Sequence, residues 1–442
     1  MIARLRRLWS DLRNAFWMIP ALLVFIGIAL ALGCVALERS ESLPTLWRDG
    51  DWLYDGGGTG ARTLLGAVAS STIGVAGTVF SITIAALSLA AGQMGPRLLR
   101  NFVRDRGNQI TLGIYLGTFS YALMVLRSIR TREEGDFVPH LAMTVAVLLA
   151  LLCVATLVYY VGHMAGRINV DTVIELVSVE MRETIARLSV DRAEAEAPAA
   201  EMWRSAALVT DPRHGYLQEL DEEGLADWCL EHKAAIQLLV RPGDYVFPGA
   251  PIALVTKQAT GGEPLPVKGA DAAIHDATAL GPVRRSSVDL EYPVRQLVEV
   301  AIRALSAGIN DPHTARSVLD RLGAALCQLA PLHLRTGVFV REGSVVLVVP
   351  PVTYEGLTNV MFHMIRQNGA MHVTVLMRLL EVLSAVASCE RDPQRRGSLR
   401  RHADLVLGDA ERTIQTPSDL ADIRSRHARF TIVFEGASAR QR

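Results

Sequence analysis

Residues 63–96 carry Ser70, Ser71, Thr72, Thr78, Ser81, Thr83 and Ser88 together with Gly66, Gly74, Gly77 and Gly92, and no charge. Steps alternating between three and four residues pick out Ser71, Gly74, Thr78, Ser81, Ala85, Ser88 and Gly92 as one helical stripe of small, mostly polar residues. Ile73, Val75, Val79, Phe80, Ile84 and Leu87 are expected on the opposite side. Two chemistries fit. Small residues let helices approach closely within a bilayer, and their hydroxyls bond across the seam. Hydroxyls also replace part of an ion's hydration shell, and by rotating they serve either charge sign. A pore lined this way is weakly selective, with preference set at its mouths. Arg62 and Arg97 flank the stripe and would raise local anion concentration, with Asp55 opposing them.

A second constellation is the turn I-N-D-P-H-T-A-R at 309–316, where Arg303, Asn310, Asp311, Thr314 and Arg316 crowd together. Asp311 before Pro312 is a helix-start signal, because a carboxylate accepts from free N–H groups and proline fits the first turn. The plain reading is a corner between two helices; the sharper one is an anion site or an interdomain contact. No phosphate-cradling loop, nucleophile elbow, zinc-binding helix motif or calcium loop is present. Gly56 to Gly60 lacks the lysine of a phosphate loop, and His363 and His372 are not at a metal-ligand spacing. No catalytic residue, metal or cofactor is therefore expected. Cys34, Cys153, Cys229, Cys327 and Cys389 are odd in number and widely spaced, which fits reduced thiols in a cytosolic main domain.

The elements that must position these residues begin in a membrane. The 442 residues are 50% hydrophobic and 20% charged, too apolar for a disordered chain. Forty-five basic residues balance 45 acidic ones, so the bulk charge points to no nucleic-acid partner. Four stretches, 14–37, 63–96, 107–126 and 137–166, lack Asp, Glu, Lys and Arg, and each is long enough to cross the hydrocarbon as a helix. Arg4, Arg6, Arg7 and Arg13 precede the first, and Arg97, Arg100, Arg104 and Arg106 lie between the second and third. The intervening loop is acidic. Both termini are thus expected in the cytoplasm, at a bacterial inner membrane. His140 and His163, near the two ends of the fourth stretch, read as solvated end groups.

Beyond residue 166 the helical pattern continues through Val170, Val173, Ile174, Val177, Met181 and Ile185 to a linker at 193–201. Residues 202–262 read as a small β-rich, barrel-like segment, with strands at 206–210, 216–220, 234–240 and 251–256 and a helix at 221–232. R-P-G-D-Y-V-F-P-G-A-P-I at 241–252 resembles the glycine-turn strands of lipoyl-type domains, but no lysine stands at a hairpin tip, so no carried lipoyl or biotin is expected. Residues 262–288 read as irregular. A helix follows at 289–307, then a hairpin turning at Glu342-Gly343-Ser344, helices at 354–367 and 373–388, and a charged helical tail.

Five segments stand out: V-F-S-I-T-I at 79–84, Q-M-G-P-R-L-L at 93–99, H-G-Y-L-Q-E-L-D at 214–221, R-P-G-D-Y-V at 241–246 and, most specifically, R-Q-L-V-E-V-A-I-R-A-L-S-A-G-I-N-D-P-H-T-A at 295–315. Through them the chain as a whole resembles the bacterial predicted membrane proteins of the domain-of-unknown-function 2254 family. The resemblance implies that Arg303, Ser306, Asn310, Asp311 and Thr314 belong to the family's signature, and it implies no activity. The expected architecture is a four-helix transmembrane domain (1–166), a connecting helix and linker (167–201), the β-rich segment (202–262) and a mainly helical α/β region (263–442). The expected function is a homo-oligomeric, channel-like protein in the lipid bilayer that passes small ions under control of its cytosolic domain. The alternative is a membrane-anchored binding, sensor or scaffold protein without a pore.

Overall fold

The computed structural model describes residues 16–40, 57–94, 105–130, 137–167, 169–192, 195–257, 268–284 and 289–439. They fall into two compact units that part between Asn169 and Val170. The N-terminal unit holds four helices long and apolar enough to cross a membrane: α1 (Met18–Arg39), α2 (Gly58–Met94), α3 (Arg106–Ser128) and α4 (His140–Arg167).

Lipid tails are as apolar as leucine, so these helices gain little from hiding apolar surface and depend on close packing and internal hydrogen bonds. The sequence supplies both on α3, which packs against the other three helices. Gly113 and Gly117 remove side chains where α1 crosses, with Leu23 and Pro20 seated against them. A Cβ on Gly27 would lie 2.3 Å from the Gly117 carbonyl oxygen. Tyrosine hydroxyls bind main-chain oxygens of the neighbouring helix α4: Tyr115 donates to Cys153 O and Tyr121 to Ala142 O, each at 2.8 Å. The ends are tied too. Glu38 accepts from the free N–H of Leu141 at 2.5 Å and so caps α4. At the other end His163 Nε2 meets Asp105 Oδ2 at 2.5 Å, packed where Gly107 leaves room. His163 is thus a paired, largely buried group rather than a solvated end.

The C-terminal unit starts with α5 (Val170–Leu188), whose Val173, Ile174, Val177, Met181 and Ile185 are buried as their spacing predicts. Its strands and helices mix. β2 (Ala207–Thr210), β4 (Ala234–Leu238), β6 (Pro251–Lys257), β9 (Val338–Arg341) and β10 (Ser344–Val348) form one sheet in the order β2-β6-β4-β10-β9, antiparallel except at β4–β10. β3 (Gly215–Leu220), β5 (Tyr245–Val246) and β7 (Thr278–Gly281) form a second, ordered β5-β3-β7, and β1 (Ser189–Val190) pairs with β8 (His333–Leu334). These are open sheets; the described strands close no barrel. The glycine turns are present, with Gly243 at φ +98° and Gly249 at φ +79°, but they send β5 to β3 instead of back along β4. Besides β6, β4 takes β10, with Ile236 paired to Leu347, 111 residues further on.

Helices α6 (Glu222–Glu231) and α7 (Ala270–Ala277) contribute Leu225, Cys229 and Ile274 to a core with Ile236, Val255 and Leu347 of the sheet. α7 and β7 fall where the glycines and prolines suggest irregular chain. The remaining helices are α8 (Glu291–Ala304), α9 (Pro312–Leu329), α10 (Tyr354–Asn368), α11 (Val373–Cys389), α12 (Pro393–Thr413) and α13 (Pro417–Ala439). Asp392-Pro393 starts α12 by the same cap-and-proline chemistry as Asp311-Pro312.

The Gly27–Gly117 contact sets the spacing of α1 and α3. Gly27→Val is expected to lower the stability of the detergent-solubilised protein by roughly 1–3 kcal/mol, the usual cost of overpacking. Gly33→Val, with open space at its Cβ position, is the control. Equal thermal midpoints for the two variants would show that the contact does not hold the helices together.

Candidate functional site

On α2 the described residues separate into two faces. Leu65, Val68, Thr72, Ala76, Val79 and Ala86 are buried within the bundle. Ser71, Gly74, Thr78, Ser81, Ala85 and Ser88 are all exposed. The stripe therefore lies on the outside of the single chain, and a Cβ added to Gly74 or Gly77 would meet nothing within 4 Å. Of the bulky residues expected opposite, Val79 is buried and Val75 half-buried, whereas Ile73, Phe80 and Ile84 are exposed. The inner seam of α2 is fastened instead by Tyr160, whose hydroxyl reaches Val79 O at 3.0 Å and Thr83 Oγ1 at 2.8 Å. Two stripe hydroxyls are turned onto their own helix: Ser71 donates to Val68 O and Thr78 to Gly74 O, each at 3.1 Å.

Of the two arginines expected at the stripe's ends, Arg62 donates to Ile129 O at 3.1 Å and so satisfies the C-terminal end of α3. Its charge stays at the end of α2, held by the bundle. Arg97 lies outside the described residues.

The 303–314 turn is a helix corner. Asp311 Oδ1 accepts from His313 N at 3.0 Å and Thr314 N at 3.2 Å, and Thr314 Oγ1 donates to Asp311 Oδ2 at 2.6 Å. The Thr314 hydroxyl and these N–H groups hold the Asp311 carboxyl below its ordinary range. Asn310 takes a left-handed φ of +51°, Asp311 N bonds Ala304 O, and Ser306 Oγ donates to Arg303 O. Arg303 faces Glu299 at 3.6 Å. The signature residues thus largely bond one another and reverse the chain, leaving Ser306, Ile309 and Asn310 exposed at the tip.

A polar cluster that sequence reasoning missed lies where the 241–244 turn meets the start of α8. Glu291, buried, is bracketed by Arg241 and by Arg295, the latter at 2.7 Å. Burial pushes the Glu291 carboxyl up, but the two guanidiniums outweigh it and hold the group below its usual range. Asp289 is buried two residues earlier. Its Oδ1 accepts from Glu291 N at 2.9 Å, while Oδ2 has no hydrogen-bond donor among the described residues and lies 3.7 Å from Arg284. Burial is the main reason its pKa is pushed up to about 6. Gly243 is required here, since its φ is +98° and a Cβ would sit 2.3 Å from Asp289 Oδ2. Arg241 and Asp289 also border a cleft of about 430 Å³, walled by Leu290, Phe339, Arg335 and Arg341. Such a cleft offers both charge signs beside apolar walls and fits a small polar ligand. The available signal was two acids separated by one residue, Asp289 and Glu291, at a helix start. Among the described residues, no three His, Cys, Asp or Glu side chains converge as a metal site.

Comparison with known proteins places these features in a family. A family model described as "Predicted membrane protein (DUF2254)" matches residues 13–385. Uncharacterized proteins of Mycobacterium tuberculosis (strain CDC 1551 / Oshkosh) and of Mycobacterium bovis are similar to this chain, each 30% identical over 447 residues. Each alignment covers 98% of this chain and 84% of the relative. No solved structure matches.

Two substitutions probe these sites. A carboxyl whose folded pKa is raised favours folding below its unfolded pKa, and that contribution is lost as pH rises through the folded value. Asp289→Asn is therefore expected to remove a loss of stability between about pH 4 and about pH 6, read as a flatter thermal midpoint over that window. An unchanged pH profile would show that Asp289 is not the titrating group. Asp311→Ala removes the α9 cap and is expected to cost about 1 kcal/mol in denaturant unfolding.

Proposed function

Since the chain belongs to the DUF2254 family of predicted membrane proteins, we propose that it is a multi-pass, homo-oligomeric, channel-like protein whose α2 helices face a shared axis. The supporting observation is the exposure of Ser71, Gly74, Thr78, Ser81, Ala85 and Ser88 on one continuous side of α2. Within hydrocarbon a polar, small-residue face gains from a second helix or from water. Copies arranged around an axis offer both: close approach at the glycines and a wet hydroxyl lining. Small ions are the proposed permeants, with a modest anion preference from Arg62 and Arg97. The C-terminal unit is the proposed regulator. The proposed location is a bacterial inner membrane, and the proposed partners are lipid and its own copies, with no nucleic acid and no catalytic step in this reading.

A second reading is a membrane-anchored binding protein without a pore. It is favoured by the 430 Å³ cleft beside Arg241 and Asp289 and by the intrahelical bonds that already occupy the Ser71 and Thr78 hydroxyls.

Ser81→Leu separates these readings. Conduction of the purified protein in planar bilayers is expected to fall severalfold or more while the oligomer persists in mild detergent. Full conduction in an assembled variant removes the stripe from any pore; loss of assembly instead identifies it as a packing seam. A monomer in both detergent and lipid favours the binding-protein reading. For the proposed orientation, an Asp51→Cys variant should label from outside intact cells and a Glu222→Cys variant should not.

A further inference from the structure

Two of the five cysteines meet at one cavity in the C-terminal unit. Cys327 lies in the last turn of α9 and is half-buried, while Cys389 ends α11 and is exposed. α9 and α11 pack together, with Gly323 seated against Val382. Both cysteines line a cavity of about 600 Å³, with His333, Glu390, Arg391 and Arg395 around them. The two cysteines are neighbours at this cavity. Cys34, Cys153 and Cys229 are buried elsewhere.

The segment carrying Cys389 is well anchored. Glu390 Oε1 accepts from Arg391 N at 2.9 Å and Asp392 N at 3.0 Å, and Asp392 in turn caps α12 through Gln394 N at 2.7 Å. Ser388 Oγ lies 3.8 Å from Cys389 Sγ. Packing has already fixed the two chain segments, so a bond between the sulfurs would cost little further ordering.

We propose that Cys327 and Cys389 form a reversible dithiol–disulfide site that reacts with low-molecular-weight disulfides. Cys389 is the sulfur an incoming disulfide can reach. Its thiolate attacks one sulfur of the small molecule, the S–S bond breaks, and one thiolate departs. Cys327 then attacks the Cys389 sulfur of the mixed disulfide and expels the second thiolate. Each protein sulfur loses one electron. The small disulfide takes up both electrons and both thiol protons and leaves as two thiols. Burial, reinforced by the neighbouring Cys389, pushes the Cys327 thiol up to about 11, which suits the second, resolving role over the first attack. Oxidation would tie α9 to the corner between α11 and α12.

The full-length protein in detergent is treated with oxidised glutathione, its remaining thiols are trapped with N-ethylmaleimide, and its peptides are mapped by mass spectrometry. The expected result is a Cys327–Cys389 linked peptide that disappears on adding reduced glutathione, with Cys34, Cys153 and Cys229 still free. Cys327→Ser should stop at a glutathione adduct on Cys389, and Cys389→Ser should leave Cys327 unmodified. Wild-type protein that accumulates glutathione on Cys389 while Cys327 remains free would overturn the proposal. So would a Cys389 disulfide between two copies in place of the internal one.

Discussion

The N-terminal unit depends on one backbone-to-backbone approach, that of α1 and α3 at Gly27 and Gly117. In hydrocarbon, burying apolar side chains contributes little, so helix association rests on dispersion at short range and on hydrogen bonds made inside the bundle. With α1 this close, α3 becomes the central helix and buries Asn108, Gln109, Thr111, Thr118 and two tyrosines. The remaining polar chemistry follows from that position: Tyr115 and Tyr121 reach main-chain oxygens of α4, and Asp105, just before α3, meets His163. Arg62 and Glu38 then satisfy helix ends that would otherwise carry bare carbonyl and N–H groups.

This arrangement decides what α2 can do. One side of it is committed to the bundle through Leu65, Val68, Ala76, Val79 and the Tyr160 hydroxyl. The small, hydroxyl-bearing side is left over. Ile73, Phe80, Ile82 and Ile84 share that exposure, so the outer side of α2 offers bulky apolar contact as well as the small-residue stripe. No ionisable group stands in the stripe.

The C-terminal unit is held differently, by a buried apolar core against a sheet and by charges that burial makes consequential. Glu291 tolerates burial because two guanidiniums bracket it, whereas its neighbour Asp289, without a donor on Oδ2, is pushed toward the neutral form. The same contrast recurs further along. The Arg366–Asp409 pair is buried and matched, while His402, fully buried with neither ring nitrogen bonded, is pushed down to about 3, chiefly by burial and then by His363 and two arginines. In these cases the buried charge is either paired or pushed toward the neutral form, as the low dielectric favours.

Much of this was legible along the chain. Four uncharged runs of sufficient length announce the apolar helices, because span length is set by the bilayer and not by partners. Asp311-Pro312 announces the start of α9, and Glu342-Gly343 the hairpin between β9 and β10, because caps and tight turns depend on neighbours a few residues away. The α2 stripe was visible as a pattern, but which way it faces was not, since that depends on where α3 and α4 pack. Pairings across long separations were hidden for the same reason: Asp105 with His163, Glu38 with the start of α4, β4 with β10, and Arg241 with Glu291. Local periodicity and capping act within a few residues and can be read in order. Partners brought together by burial are chosen only when the tertiary structure closes around them.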